Sequence, residues 1–238
     1  MKRYIIVLTL ILSLMLPGCS SPKKPVKNDS HAPISMTGDE DREIDLTPQQ
    51  VYNDASDFRY TFDEEECTIT GYIGESTEVS IPDQIEGKPV TTISIGAFKQ
   101  RAITKVTVPE GVTMIMGYAF YGCTKLESIT LPDTLKYIGT FAFSDCISLT
   151  SIVIPEKVTW IENSTFFRCS ALTSVTLGNS VECIELHAFD GCTSLKDINI
   201  PDSITIIEDT SFSNCKQLNE DARDKINTIN PKAFTKYF

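Results

Sequence analysis

Histidine is scarce in this sequence, and its scarcity excludes several kinds of catalytic and metal site. The 238 residues include only His31 and His187. A nucleophile needs a nearby base and a zinc site needs converging ligands, yet neither a Cys-x-x-Cys pair nor a histidine pair occurs. His187 precedes the Ala188-Phe189 pair at an expected coil corner, where a lone exposed histidine carries no predicted role. The sequence therefore predicts no catalytic residue, no metal and no cofactor.

Basic side chains are also too few to suit a nucleic-acid partner. The chain has 21 lysines and arginines against 32 aspartates and glutamates, which gives a net charge of −11. A surface this acidic repels phosphate backbones. The acidic runs at 39–43 and 63–66 lack the Asp-x-Asp-x-Asp-Gly spacing of a calcium loop, so we interpret them as solvated charge.

A long apolar run is missing as well. The longest one, Tyr4–Leu16, has thirteen uncharged residues, whereas a helix that spans a bilayer needs about 20. This run follows Lys2 and Arg3 and has the size of a secretory h-region. We therefore predict a signal peptide over residues 1–18.

The segment after this run resembles a lipid-attachment signal. Leu16-Pro17-Gly18-Cys19 is similar to the lipobox of bacterial lipoproteins, apart from Pro17, where alanine or serine is usual. The resemblance implies that Cys19 carries a lipid and anchors the protein to a bacterial membrane, outside the cytoplasm. The alternative is an ordinary signal peptide with an incidental cysteine. Residues 19–57 lack sustained apolar periodicity and are predicted to form a flexible tether.

The rest of the chain is dominated by a repeat of 22 to 23 residues. A period of this length is typical of a solenoid, in which each unit makes one coil. Alternating stretches such as Ser151–Ile154 predict one short strand in each coil, and a proline such as Pro155 ends that strand. The phenylalanines that mark the period are Phe98, Phe120, Phe143, Phe166, Phe189, Phe212 and Phe234.

The phrase AFxxCxxLxxIxIPxxVxxI is similar to the BspA-like leucine-rich repeats of bacterial surface proteins, and it is found over residues 97–218. The resemblance implies a β-rich, right-handed solenoid with a parallel sheet along one face, and a role in adhesion or protein binding. Both ends of such a stack need covering. Residues 58–96 are predicted to form an N-terminal cap and a first degenerate coil. Residues 219–238 are predicted to form a C-terminal cap that begins with a short helix.

Five regularly spaced cysteines raise the question of disulfide bonds. Neighbouring coils lie about 4.8 Å apart, which is within disulfide reach. Stacked side chains point in parallel, however, and five is an odd number. We therefore predict buried, reduced thiols at Cys123, Cys146, Cys169, Cys192 and Cys215.

Two outward-facing columns are candidate binding surfaces. One is the hydroxyl-rich face of the strands, represented by Ser151 and Thr176, which could equally reflect β-propensity alone. The other, here called the apolar column, comes just before the last core isoleucine of each coil. Strand alternation would turn its side chains outward, whereas a bend in the returning chain would bury them. Its members are Met114, Tyr137, Trp160, Cys183 and Ile206.

These features favour a lipid-anchored recognition module that binds protein or glycoconjugate at the cell surface without catalysis. A structural or spacer component of the cell envelope is the alternative interpretation. An enzyme that works through unrecognised carboxylates is the least favoured one.

Overall fold

The computed structural model describes residues 51–235. These residues form a β-solenoid in which each coil contributes a strand to each of two parallel ladders. Residues 48–238 make up one compact unit. The prediction of a solenoid with parallel sheets is confirmed.

The first ladder has short strands whose middle residue points into the core. It pairs in parallel with a constant register, in which Val106 lies beside Ile129 and Ile152 beside Val175. Its strands are β3 (Glu78–Ser80), β6 (Lys105–Thr107), β8 (Ser128–Thr130), β10 (Ser151–Val153), β12 (Ser174–Thr176) and β14 (Asp197–Ile198).

The second ladder lies on the returning side of each coil, and in its two-residue strands the isoleucine points inward. Ile93 pairs with Ile115, and Ile161 with Ile184. Its strands are β2 (Cys67–Tyr72), β5 (Lys88–Ile93), β7 (Met114–Ile115), β9 (Tyr137–Ile138), β11 (Trp160–Ile161), β13 (Cys183–Ile184) and β15 (Ile206–Ile207).

Both ladders are interrupted at the same junction, because β8 does not pair with β10 and β9 does not pair with β11. The coil corner continues across this junction. The Phe120 N–H donates to the Ala142 carbonyl at 2.8 Å, and the Gly122 N–H donates to the Ser144 carbonyl at 2.8 Å. Stacking at the corner therefore holds the two halves of the array together.

A column of aromatic rings fills the centre of the coils. The rings from Tyr72 to Phe212 are fully buried and stack face to face, with neighbouring centroids 4.9 to 5.5 Å apart. Phe234 continues the column with a tilted ring at 6.0 Å. Each coil returns its phenylalanine to the same place one rung higher, so the phenylalanine spacing of 22 or 23 residues is the length of one coil.

The five cysteines form a second buried column beside the rings. Each thiol donates to the carbonyl of a phenylalanine in the preceding coil, at 3.0 Å from Cys123 Sγ to Phe98 O and at 3.1 Å from Cys215 Sγ to Phe189 O. Burial raises the pKa of Cys123 and of Cys215 to about 12. The prediction of buried, reduced thiols is confirmed for all five.

Two residues per coil adopt the left-handed backbone conformation at the corners. Glycine fills some of these positions, as at Gly96 and Gly191, but Phe141 (φ 58°), His187 (φ 56°) and Thr210 (φ 65°) fill others. Left-handed backbone costs a residue with a side chain about 1–2 kcal/mol. At each of these corners, the free energy gained by stacking the coils therefore outweighs the preference of the residue for a right-handed or extended backbone.

The N-terminal end is covered by a hairpin. Strand β1 (Phe58–Phe62) pairs antiparallel with β2, and β4 (Gln84–Ile85) pairs antiparallel with β5. A 3-10 helix, Ala55–Asp57, precedes β1. Tyr72 begins the ring stack, and its hydroxyl donates to the Ser76 carbonyl at 2.9 Å.

The C-terminal end is covered by helix α1 (Glu220–Ile229), which confirms the predicted short helix. The Asn219 side chain caps it by accepting the Ala222 N–H at 2.9 Å. Ala222 and Ile226 bury its inner face. Because both ends of the core are covered and residues 48–238 form one compact unit, we expect this fragment to fold on its own. No helix in residues 51–235 is long and apolar enough to cross a membrane.

Candidate binding surface

The apolar column lies on the outside of the second ladder. Its large side chains are exposed by 39% at Met114, 36% at Tyr137, 44% at Trp160 and 46% at Ile206. Of the two alternatives left open by the sequence, the outward orientation is therefore observed for these four. The isoleucine that follows each of them is buried, so the core beneath the column is complete without it.

Cys183 is the exception in this column, because only 3% of it is exposed. Its strand pairs with that of Trp160 on one side and that of Ile206 on the other. A small side chain between two larger ones is covered by them. Burial raises the pKa of the Cys183 thiol to about 11, and the charges of Glu185, Glu208 and Glu162 add to that effect.

A column of glutamates flanks the C-terminal half of the apolar column. Glu162, Glu185 and Glu208 each follow the buried isoleucine of β11, β13 and β15. The Glu185 Oε2 atom accepts the Asn163 N–H at 2.9 Å. Burial raises the pKa of Glu162, and the charge of Glu185 and a hydrogen bond to it raise that pKa further. The sequence carries a signal for this column, glutamate at a spacing of 23 residues, which the periodicity of the apolar residues does not include.

The aromatic and acidic side chains are close enough to influence each other. Burial raises the pKa of the Tyr137 hydroxyl, and the charges of Glu162 and Glu185 raise it as well. Trp160 lies on the same rung as Glu162, two residues before it. The second ladder therefore presents exposed rings and carboxylates on one surface.

The hydroxyl-rich face is a different surface, on the first ladder. Ser151 and Thr176 are both exposed there, but they are not neighbours, because Ser151 pairs with Ser174 and Thr176 pairs with Val153. Val153 is 63% exposed. The structure therefore separates Ser151 and Thr176 from Met114, Tyr137 and Trp160. Cys19, the predicted lipidation site, lies outside the described residues.

His187 differs from its expected exposed state. It is partly buried, with Nδ1 3.2 Å from Asp190 Oδ2 and 3.3 Å from Thr210 Oγ1. Its left-handed backbone turns the side chain along the corner toward these neighbours. Within residues 51–235, no group of three or more histidine, cysteine, aspartate or glutamate side chains is arranged to hold a metal ion.

A shallow groove of about 600 Å³ lies elsewhere, along the corner that follows the phenylalanine of each coil. Ile147, Arg168 and Lys216 are among the residues that line it. It shares no residue with the apolar column or with the glutamates.

Comparison with known proteins agrees with this architecture. The family model described as the BspA type leucine rich repeat region matches six copies, over residues 91–219 and 167–237. No curated protein sequence matches the chain significantly.

Three solved structures illustrate the similarity. A leucine-rich repeat protein of T. pallidum is 29% identical, with a TM-score of 0.64 over 76% of this chain and 96% of that one. A leucine-rich cell surface protein from Faecalibacterium prausnitzii is 31% identical, with a TM-score of 0.56 over 73% of this chain and 54% of that one. A leucine-rich repeat protein from Eubacterium ventriosum shares the fold at 22% identity, with a TM-score of 0.55 over 78% of this chain and 53% of that one.

Proposed function

Because the chain belongs to the BspA-type leucine-rich repeat family, we propose that it acts at the cell surface by binding another protein through its apolar column. Proteins of this family are typically surface-associated and bind other proteins. The similarity to a leucine-rich cell surface protein of F. prausnitzii supports the same location.

One observation carries this proposal: large apolar side chains are exposed on successive rungs above a core that does not need them. Tyr137 and Trp160 keep roughly two fifths of their surface in solvent, although each lies beside a fully buried isoleucine. Exposed tryptophan and tyrosine supply much contact area and often dominate binding energy. A rigid ladder also holds them in place before a partner arrives, which reduces the entropy lost on binding.

The finer features of the proposal concern attachment and ligand. A lipid on Cys19 would anchor the protein to a bacterial membrane, and the segment before residue 48 would lift the solenoid away from it. Residues 53–57 bond to the solenoid instead, since the Asn53 N–H donates to the Ser80 carbonyl at 2.9 Å. The partner is a protein or the protein part of a glycoconjugate. The hydroxyl-rich face around Ser151 and Thr176 is the second candidate contact surface.

The test is a comparison of capture by matched variants. The fragment 48–238 is immobilised and exposed to extracellular host proteins and to the cell's own envelope proteins. Trp160→Ala and Tyr137→Ala should each lose most of a specifically captured partner, because truncation of such residues often costs about 2 kcal/mol or more. Val153→Ala removes an exposed apolar side chain from the first ladder instead, and this variant should still capture the partner.

Urea denaturation of the same variants provides the control. All three should unfold cooperatively, and Trp160→Ala and Tyr137→Ala should lower the midpoint only modestly, since the buried core isoleucines beside them are unchanged. A sharp loss of stability in Trp160→Ala would show that the column belongs to the core. Loss of capture by Val153→Ala alone would move the contact surface to the face of Ser151 and Thr176.

A further inference from the structure

Charge is distributed unevenly on the outside of the second ladder. Over the three coils that contain β11, β13 and β15, the outward residues of TWIE, ECIE and TIIE include four glutamates and neither lysine nor arginine. The corresponding positions of the first ladder, in SIV, SVT and DIN, carry three hydroxyl groups and a single carboxylate. In these three segments of the second ladder, the side chains near Trp160 thus include acidic residues and no basic ones.

The carboxylates in this region repel one another. Strand pairing places Glu162, Glu185 and Glu208 on consecutive rungs, about 4.8 Å apart. Like charges on adjacent strands destabilise a sheet. The raised pKa of Glu162, caused by burial and then by Glu185, is in keeping with this repulsion.

The glutamate column takes no part in the ion pairs of residues 51–235. The ion pairs found within residues 51–235 join Asp190 to His187, Asp202 to Lys225 and Asp209 to Lys232. None of them includes Glu162, Glu185 or Glu208. A sequence that keeps a local conflict of this kind commonly does so at a functional site.

The neighbouring rings suit the same kind of ligand. A lysine or arginine side chain is attracted to the face of a tryptophan, and the attraction increases when the cation is partly desolvated. Carboxylates beside the ring would bind the same charge, while Ile206 and the covered Cys183 offer an apolar surface to the stem of the side chain.

We propose that the partner of the apolar column is a basic polypeptide segment, in which lysine or arginine side chains contact Trp160 and the glutamate column while adjacent apolar side chains cover Ile206. This inference rests on the proposed function and adds the chemistry of the partner. A long negative surface next to an apolar strip also attracts basic partners from a distance, which speeds association and makes it sensitive to salt.

The probes are three fluorescein-labelled peptides of about twelve residues, the length of an extended segment that spans several rungs. Leucine alternates with lysine in the first, with serine in the second and with glutamate in the third. Their affinity for the fragment 48–238 is measured by fluorescence anisotropy at low and at physiological salt. The lysine peptide should bind, and the glutamate peptide should not.

Two double variants separate a local site from general attraction. Glu162→Gln with Glu185→Gln removes two charges from the glutamate column and should raise the Kd of the lysine peptide about two- to thirtyfold, because each exposed ion pair changes affinity by about 1.4- to 5.5-fold. Glu78→Gln with Glu127→Gln removes two exposed charges near the first ladder and should change that Kd by a clearly smaller factor than the first double variant does. Trp160→Ala should weaken the same peptide, and Trp160→Phe should restore part of the loss.

The possible failures are distinguishable. An equal effect of the two double variants would mean diffuse attraction and would overturn the inference. Equal binding of the serine and lysine peptides, both weakened by Trp160→Ala, would reject a basic partner while leaving the apolar column as the contact surface. If Trp160→Ala affected none of the peptides, the proposed surface itself would be wrong.

Discussion

Ser211 and Thr165 occupy the position that alanine fills in the neighbouring coils, and their two hydroxyl groups differ in one respect. Thr165 Oγ1 donates to the Glu162 carbonyl at 2.7 Å. Ser211 Oγ is buried and has no hydrogen-bond partner among the described residues. Ala142 and Ala188 at the equivalent position are fully buried.

Replacement by alanine should therefore have opposite effects at the two sites. An unsatisfied buried hydroxyl costs about 1–3 kcal/mol, and the hydroxyl-sized void left by Ser211→Ala, on the order of 10 Å³, costs only about 0.2 kcal/mol. We expect Ser211→Ala to raise the free energy of unfolding by about 1–2 kcal/mol. Thr165→Ala loses one hydrogen bond and one buried methyl group, and should lower that free energy by about 1–2 kcal/mol.

Urea denaturation of the fragment 48–238 measures both effects. With a slope of about 2–3 kcal/mol per M, a change of about 1.5 kcal/mol moves the midpoint by about 0.5–0.8 M. The slope itself should stay constant, because neither change alters the surface exposed on unfolding. If Ser211→Ala left the midpoint unchanged or lowered it, the hydroxyl must have a partner, and the reasoning from its isolation would be refuted.

Three further predictions concern the thiols, the glutamate column and the anchor. At pH 8 a thiol reagent should modify Cys123 and Cys215 slowly in the folded protein, since a pKa of about 12 leaves little thiolate, and rapidly in denaturant; disulfide-linked peptides in mass spectrometry would contradict this. The pKa of Glu162 is higher in the folded protein than in the unfolded chain. Protonation of this carboxyl therefore favours the folded state at low pH, and this contribution is lost as the pH rises through the folded-state pKa. Glu162→Gln should therefore increase stability at pH 7, and the gain should shrink toward about pH 4, where the unfolded carboxyl also becomes protonated; a gain independent of pH would exclude the carboxylate as its cause. In a bacterial host the full chain should incorporate labelled fatty acid and sediment with membranes, and Cys19→Ala should abolish both; an unlabelled, soluble wild-type product would indicate an ordinary signal peptide.

The period of the sequence was sufficient to predict the solenoid, because several apolar columns repeat at one interval. Phe143, Cys146 and Leu149 are all buried as the period requires. The bonding of the thiols was not predictable, since a carbonyl acceptor such as Phe120 O becomes available only when the coils are stacked. The left-handed corners were equally hidden, because residues such as Phe141 and Thr210 carry no local preference for that conformation.

The sequence was sufficient to locate the candidate surface, but not to predict which side chains it exposes or how they interact. The sequence left the inward and outward orientations of Tyr137 and Trp160 open, and the structure shows the outward one that strand alternation favours. The burial of Cys183 depends on the size of its neighbours across the ladder. The glutamates were visible as a periodic column. Their mutual repulsion, however, depends on the strand register that brings them onto consecutive rungs.

The constant register of the coils determines how a chain of this kind can change in length through evolution. Each cysteine thiol donates to the preceding coil in the same way, so the surface by which one coil contacts the next is nearly the same from coil to coil. Duplication or deletion of one whole unit would recreate every junction, whereas one residue inserted into a strand would shift its core face outward. The unit 97–118 is one residue shorter than the next coil. Phe98 stacks on Phe120, 22 residues later, whereas Val106 pairs with Ile129, 23 residues later. The missing residue lies at the corner between them, in a coil without the cysteine. Gene rearrangement can therefore lengthen the array by whole coils, whereas a single-residue deletion is accommodated at a corner of this kind.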